Sequence, residues 1–395
     1  MEEAAAMKPW LVKLRRELHA WPELGLEEHK TAARIEQALD ELDVEYSRHG
    51  TAVVGLIRGA LPGRTVALRA DMDALPIQEA TGLDYSSQVN GVMHACGHDA
   101  HVTIGLGAAR WFAEHRHTLA GNIKLLFQPA EETVGGADTM IKAGCMENPK
   151  VDFVLGLHVM PYLPVGRVET KKGALNGCST TLKGIVHGKG GHGAYPESAI
   201  DAVYIAAQVI VGLNALVSRY VSPLESAVIT VGTIKGGSRS NIVADEVHFT
   251  ATLRTTSDET RDALVDRARA VVEGVSTAFG GSGELDVSYG YAALVNHDMA
   301  VDIISQAAAE LLGPGSLVWK EKPSMGVEDF SFFIKDTPGA FYHLGCGFDG
   351  ADGTDPKAKP APLHSDGFML NEDCLPVGVA MQAAAALIYL GGRNG

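Results

Sequence analysis

Along the chain the hydrophobic positions change period. In "KPWLVKLRRELHAWPELG", Trp10, Leu11, Leu14 and Leu18 recur at helical spacing until Pro22 and Gly25 interrupt them. "EEHKTAARIEQALDEL" predicts a second helix. The runs "AVVGLIRG", "TVALRADMDALP", "NIKLLFQPAEE" and "VDFVLGLHV" are of another kind, being short, nearly continuous in apolar residues and rich in β-branched ones. Helical stretches at residues 100 to 114 and 136 to 144 alternate with them. Apolar strands separated by helices predict an α/β fold with a mostly parallel sheet flanked by helices.

From 178 to 294 the rhythm differs. Strand "STTLKGIVHG" leads to helix "AIDAVYIAAQVIVGLNALVSRY", strands "SAVITVGTIKGG" and "EVHFTATLRTT", helix "DETRDALVDRARAVVEGVSTAFG" and strand "ELDVSYGY". That βαββαβ order is the split βαβ unit of ferredoxin-like domains. It reads as a complete domain, 178–294, inserted into another made of 1–177 and 295–395. The outer domain resumes with helix "MAVDIISQAAAELLG" and closes with "FYHLGCGF" and helix "LPVGVAMQAAAALIYLGG".

Composition narrows the function classes. A chain of 395 residues exceeds one ordinary core and fits two domains. The formal net charge of -15, with no Lys/Arg cluster to override it, excludes nucleic acid as the expected partner. The acidic start "MEEAAAMKPW" is no secretory signal, and no window approaches the ~18 uninterrupted apolar residues of a membrane span. Five cysteines, odd in number and irregular in spacing, argue for a reducing cytoplasm over a disulfide framework.

The chemistry gathers where strands end. "GVMHACGHDAH" places Cys96 and His98 between a strand and a helix. Glu131 and Glu132 follow the strand "NIKLLFQP", His158 ends "VDFVLGLH", and His364 lies in the loop "PAPLHSDGF". The carboxyl edge of an open α/β sheet is where ligands bind. Taken singly, each residue has a bland reading: Cys96 a small buried hydrophobe, His158 a core histidine, "AEE" a solvated surface. Their recurrence at strand ends favours a metal site. Cys96, His98, Glu132, His158 and His364 make five ligands, enough for two ions if one ligand bridges. Cys96 would be a thiolate, its pKa lowered by the helix that follows. Glu131, beside a ligand, is placed to act as general base. In "RADMDALP", Asp71 or Asp73 would orient a ligating histidine. His94 and His101 read as supports or packing. Met160, Leu175, Asn176, Met325 and Phe330 would line a pocket or belong to the core.

"RADMDALP", "HACGHDAH", "QPAEE", "GLHV" and "PLHSDGF", in this order, resemble the metal-dependent aminoacylase and carboxypeptidase family. The nearest branch is that of hippurate hydrolases, auxin-conjugate hydrolases and N-acetyl-diaminopimelate deacetylases. The likeness runs from "LRRELHAWPELGLEE" to the last helix. It implies a zinc-exopeptidase-like catalytic domain holding two divalent metals, and an inserted lid through which the chain forms a homodimer. By motif position it implies Cys96, His98, Glu132, His158 and His364 as metal ligands, Glu131 as base, and Asp71 as the acid that orients a ligand. It also implies His192 as the residue stabilising an oxyanion, with Asn241 and Arg254 on the substrate carboxylate. One departure stands out: many members carry a histidine where this chain has Arg69, and Cys96 supplies the extra ligand. Thiolate and imidazole suit zinc, with manganese, cobalt or nickel as alternatives. The expected reaction is hydrolysis of the amide of small N-acyl amino acids, N-acetyl or N-aroyl. The alternative is a dipeptidase or carboxypeptidase using the same dinuclear site. A metal-dependent binder would leave Glu131 without a task, and a thiol redox protein would leave every other ligand unused.

Overall fold

The computed structural model describes residues 1–350 and 361–391. In chain order the helices are α1 (Glu2–Ala6), α2 (Lys8–Ala20), α3 (His29–Glu41), α4 (His98–Glu114), α5 (Gly136–Lys142), α6 (Ala202–Tyr220), α7 (Asp258–Ala278), α8 (Asp298–Leu312) and α9 (Cys374–Leu390). The strands of the first half are β1 (Glu45–His49), β2 (Ala52–Arg58), β3 (Leu61–Asp71), β4 (Ala120–Gln128), β5 (Phe153–Pro164), β6 (Val168–Thr170), β7 (Gly173–Asn176) and β8 (Cys178–His187). They continue with β9 (Gly191–His192), β10 (Ala227–Gly236), β11 (Ile242–Val243), β12 (Glu246–Thr255), β13 (Ser282–Tyr289), β14 (Leu294–Asn296), β15 (Leu317–Trp319) and β16 (Gly339–Gly347).

Two compact units emerge. The first comprises Met1–Gly173, Val295–Glu321 and Asp329–Gly395. Its sheet runs β1-β2-β4-β3-β5-β16-β6-β15. The central strands β4, β3, β5 and β16 are mutually parallel, whereas β2 and β6 run antiparallel to their central neighbours. The parallel centre is the part the apolar runs anticipate. The margins escape that pattern because "EYSRH" in β1 is polar and β6 and β15 have three residues each. Register matters for function: β3 leaves β5 at the pair Arg69↔Gly156, so Asp71 and His158 both lie past the end of that pairing.

Burial explains the helices. α9 is apolar all round because it packs among α2, α4, α8 and β3, and a helix without a polar face must be enclosed. α4 is almost wholly buried and begins at His98, two residues before the expected start, under the left-handed Gly97 (φ 88). A Cβ at Gly97 would meet Val159 Cγ2 at 2.5 Å, so only glycine fits this turn.

The second unit is Ala174–Leu294 with Lys322–Glu328. It thus begins before the expected 178 and takes in a segment that the sequence pattern assigned to the outer domain. Its sheet order β10-β12-β8-β13, all antiparallel, is the ferredoxin-like arrangement of βαββαβ. Asp201 caps α6 by accepting from Val203 N–H and Tyr204 N–H, and Ser257 caps α7 by accepting from Thr260 N–H. α6 is long and apolar enough to cross a membrane by length and composition, yet it buries Ile205, Val209, Leu213 and Leu216 in this unit's own core. Each of these contributes about 2 kcal/mol. Its outer face exposes Val203, Tyr204 and Val211.

Candidate active site

Five stretches of the first unit deliver the candidate ligands and the acids beside them. β3 ends at Asp71, with Asp73 just beyond it. β4 ends at Gln128 and passes through Pro129 and Ala130 to Glu131 and Glu132. β5 carries His158. The turn before α4 carries Cys96, Gly97 and His98. His364 comes from a later loop, its N–H donating to Ala95 O at 2.9 Å. Ala130 (φ 57) and His364 (φ 61) sit in the left-handed region. That costs a side-chain-bearing residue about 1–2 kcal/mol and is tolerated where surrounding contacts impose it.

The donors converge. Cys96 Sγ lies 3.1 Å from His158 Nε2 and 3.3 Å from His364 Nε2. His364 Nε2 is 2.9 Å from Glu132 Oε1, although that oxygen has no aligned hydrogen-bond donor. The ligand atoms of Cys96, His98 and His158 fall within 4.8 Å of one another, and so do those of Cys96, Glu132 and His364. Cys96 belongs to both trios. Glu131 lies within the same distance of His98 and Glu132.

Hydrogen bonds fix which nitrogens face inward. His158 Nδ1–H donates to Val159 O at 2.7 Å, so Nε2 presents its lone pair to Cys96. His98 Nδ1–H points at Asp73, 2.9 Å from its carbonyl oxygen and 3.2 Å from Oδ1. That leaves buried His98 Nε2 without a hydrogen-bond partner. Two buried ligand atoms, Nε2 of His98 and Oε1 of Glu132, make no aligned hydrogen bond among the described residues, and a divalent cation would satisfy both. The set of thiol, imidazoles and carboxylates fits such an ion.

Electrostatics follow burial. Burial pushes the Cys96 thiol well above its ordinary pKa, Glu132 and Glu131 add to this, and His98 opposes it. Burial thus holds the Cys96 thiol up, against the lowering expected from the helix that follows, and a bound cation would favour the thiolate. Burial also lowers His158, with His101 and His98 adding to the shift, so its imidazole is neutral and ready to ligate.

Asp71 and Asp73 divide their duties. Asp73 holds His98, and its Oδ2 also accepts from Glu132 N–H at 3.0 Å. Asp71 accepts from Arg69 at 2.6 Å and from His101 Nδ1 at 2.5 Å, and its Oδ2 is 3.6 Å from His98 Nε2. Burial opposes ionisation of Asp71, yet Arg69, His98 and His101 hold it well below the usual carboxylate range. His101 Nε2 in turn accepts from Val159 N–H at 2.9 Å, so His101 braces the strand carrying His158. Arg69 spans Asp71, Gln128 and Asp329, the last at 2.9 Å. Asp329 and Gln128 escaped sequence reading. Gln128 adjoins "PAEE" and could have been flagged, but nothing in the pattern marks Asp329.

The remaining candidates lie in the second unit. His192 is exposed on β9, paired with Ile242 of β11, and Gly193 N–H donates to Asn241 O at 2.9 Å. One two-stranded ribbon thus joins the His192 and Asn241 loops. Arg254 stands on β12 between Val228 and Ser179, on the face opposite buried Leu253. Of the pocket candidates, Leu175 and Phe330 are core, Phe330 packing on Phe333 and Phe341.

Peptidase family M20/M25/M40 matches residues 67–386. Thermostable carboxypeptidase 1 of Saccharolobus solfataricus is 36% identical over 392 residues, covering 97% of this chain and 96% of its own. N-acetyldiaminopimelate deacetylase of Priestia megaterium is 40% identical over 337 residues, covering 85% of this chain and 89% of its own. Among solved structures, the YXEP protein of Bacillus subtilis is described as a dinuclear metal binding peptidase from the M20 family. It superposes with a TM-score of 0.85 at 31% identity, covering 98% of this chain and 99% of its own.

Proposed function

This chain belongs to peptidase family M20/M25/M40, and from that premise we propose that it hydrolyses the amide bond of N-acyl amino acids. The observation that carries the reading is Glu131 beside Glu132, within 4.8 Å of His98, where thiol, imidazole and carboxylate donors gather in overlapping trios. Cys96, His98 and His158 would hold one ion, and Cys96, Glu132 and His364 the other. Divalent cations there, zinc above manganese, cobalt or nickel, would supply Lewis acidity, polarising the amide carbonyl and acidifying water. Glu131 takes the proton of the attacking water and returns it to the departing amine. The products are a carboxylic acid and a free amino acid. Asp73 fixes His98, and Asp71 acts one step removed, through His101.

In the second unit, His192 donates to the oxyanion, and Asn241 and Arg254 hold the substrate carboxylate, which a guanidinium grips with two parallel bonds. This unit is the lid, and the chain pairs as a homodimer through it. The exposed apolar face of α6 supports that reading. Five free, buried cysteines suit a reducing cytoplasm.

The Saccharolobus relative favours a second reading, peptide-bond cleavage by the same residues. Turnover of N-acetyl and N-benzoyl amino acids measured beside dipeptides separates the two. Metal content measured alongside tests the site itself: about two ions per chain are expected, with activity lost on chelation and restored by zinc, manganese or cobalt. A fully folded chain without bound metal would sink the proposal.

A further inference from the structure

The segment from Arg15 to Glu28 touches three stretches of the site, each one residue from a candidate functional side chain. Arg15 Nε and His19 Nδ1–H both donate to Asp99 Oδ2, at 2.8 and 2.7 Å, and Asp99 follows His98. Glu23 O accepts from Ala74 N–H at 2.8 Å, and Ala74 follows Asp73. Glu28 Oε1 accepts from Ala130 N–H at 2.9 Å, and Ala130 precedes Glu131. The approach is close: a Cβ on Gly25 would meet Thr133 Oγ1 at 2.7 Å and Ala130 Cα at 3.1 Å.

Glu28 is the unusual member. It stands at the N-cap of α3 but makes no cap hydrogen bond with its side chain. Glu23 serves that helix in its place, accepting from Lys30 N–H and Thr31 N–H at 2.9 Å each. Glu28 is therefore released to cross to another loop. It is fully buried, with Thr51 Oγ1 donating to its other oxygen at 2.8 Å. Ala130, which it holds, has a left-handed backbone (φ 57) immediately before Glu131 and Glu132. A carboxylate on that N–H fixes the Pro129–Ala130 peptide plane, one peptide unit before the proposed base.

We propose that Arg15 to Glu28 is a positioning clamp on the catalytic loops, and that Glu28 sets the direction of Glu131 through Ala130. The role of Glu131 as base rests on the function proposed above; the contact itself does not. The test uses the full metal-loaded chain, its Glu28→Ala and Glu28→Gln variants, and three readouts: amide hydrogen exchange, metal content, and kcat beside KM. In Glu28→Ala, exchange at Ala130 should rise about 10-fold or more and kcat should fall about 30-fold, with KM within about twofold and metal content unchanged. Glu28→Gln keeps an acceptor oxygen and should restore kcat to within about threefold of the parent. Unchanged exchange at Ala130, a loss of activity that tracks loss of metal, or equal losses in both variants would overturn the clamp. If the unsubstituted chain hydrolyses neither acyl amino acids nor dipeptides, the proposed function fails and exchange at Ala130 alone decides the clamp. Should Glu28→Ala not fold, Thr51→Val frees only one oxygen of Glu28. Faster exchange at Ala130 in that variant supports the proposal, and unchanged exchange overturns it.

Discussion

Cys96 and Arg254 are held in two different ways. Cys96 is 6% exposed, lies in contact with two imidazoles, and sits on a turn that only glycine can complete. Arg254 stands half-buried on an open strand face, and His192 and Asn241 share a short exposed ribbon. In the first unit, geometry restricts what the side chains can do, because thiol, imidazole and carboxylate atoms are buried within 4.8 Å of one another and suit a cation. In the second unit, geometry permits several tasks, and the assignment of these three residues rests on resemblance.

The largest expected effect tests the first unit. Glu131→Gln should lower kcat by about 1,000-fold or more while leaving metal content unchanged. Near-normal turnover would remove the base from the proposal and leave the edge as a metal site only. His192→Ala should follow, with about a 100-fold loss in kcat and little change in metal content, as for a lost oxyanion donor. If instead metal content falls, His192 is acting on the ligands, and the division between the two regions breaks. Arg254→Ala should be milder and of another kind. KM should rise about 10- to 100-fold at nearly constant kcat, because binding to an unchanging carboxylate is lost equally in ground and transition states. A fall in kcat at constant KM would move Arg254 from grip to chemistry.

The same contrast explains what the sequence could reveal. The candidate donors were legible because "HACGH" and "AEE" are local motifs, one at the start of α4 and one just past β4. The βαββαβ order was legible because each element is long and strongly periodic. Asp329 was not, because its partner Arg69 is 260 residues away and no local pattern marks either end. Glu28 was hidden in the same way, since a glutamate heading a helix reads as a solvated first turn until the fold shows it reaching Ala130. For Cys96 the helix terminus is visible in the sequence, whereas the burial that pushes its thiol up is not.

Charge buried in the first unit should also appear in its stability. Burial works against the ionised form of Glu79, yet donors from His19, Thr81 and Ser87 N–H outweigh it and hold its pKa at about 2, against an ordinary 4.5. A carboxyl depressed on folding adds stability that is complete above its unfolded pKa and lost as pH falls through the folded one. The contribution, of order 2 kcal/mol, should therefore vanish as pH drops from about 5 to about 2. Hydrogen exchange, corrected for its intrinsic pH dependence, can read each unit separately where one global midpoint cannot. Over that interval, amides of α2 and of the turn at Ser87 should lose more protection than those of α7. In Glu79→Gln the excess loss should disappear, since a neutral amide at pH 7 already resembles the protonated acid. If both chains lose protection equally, Glu79 is not the group that ties this part of the first unit to pH.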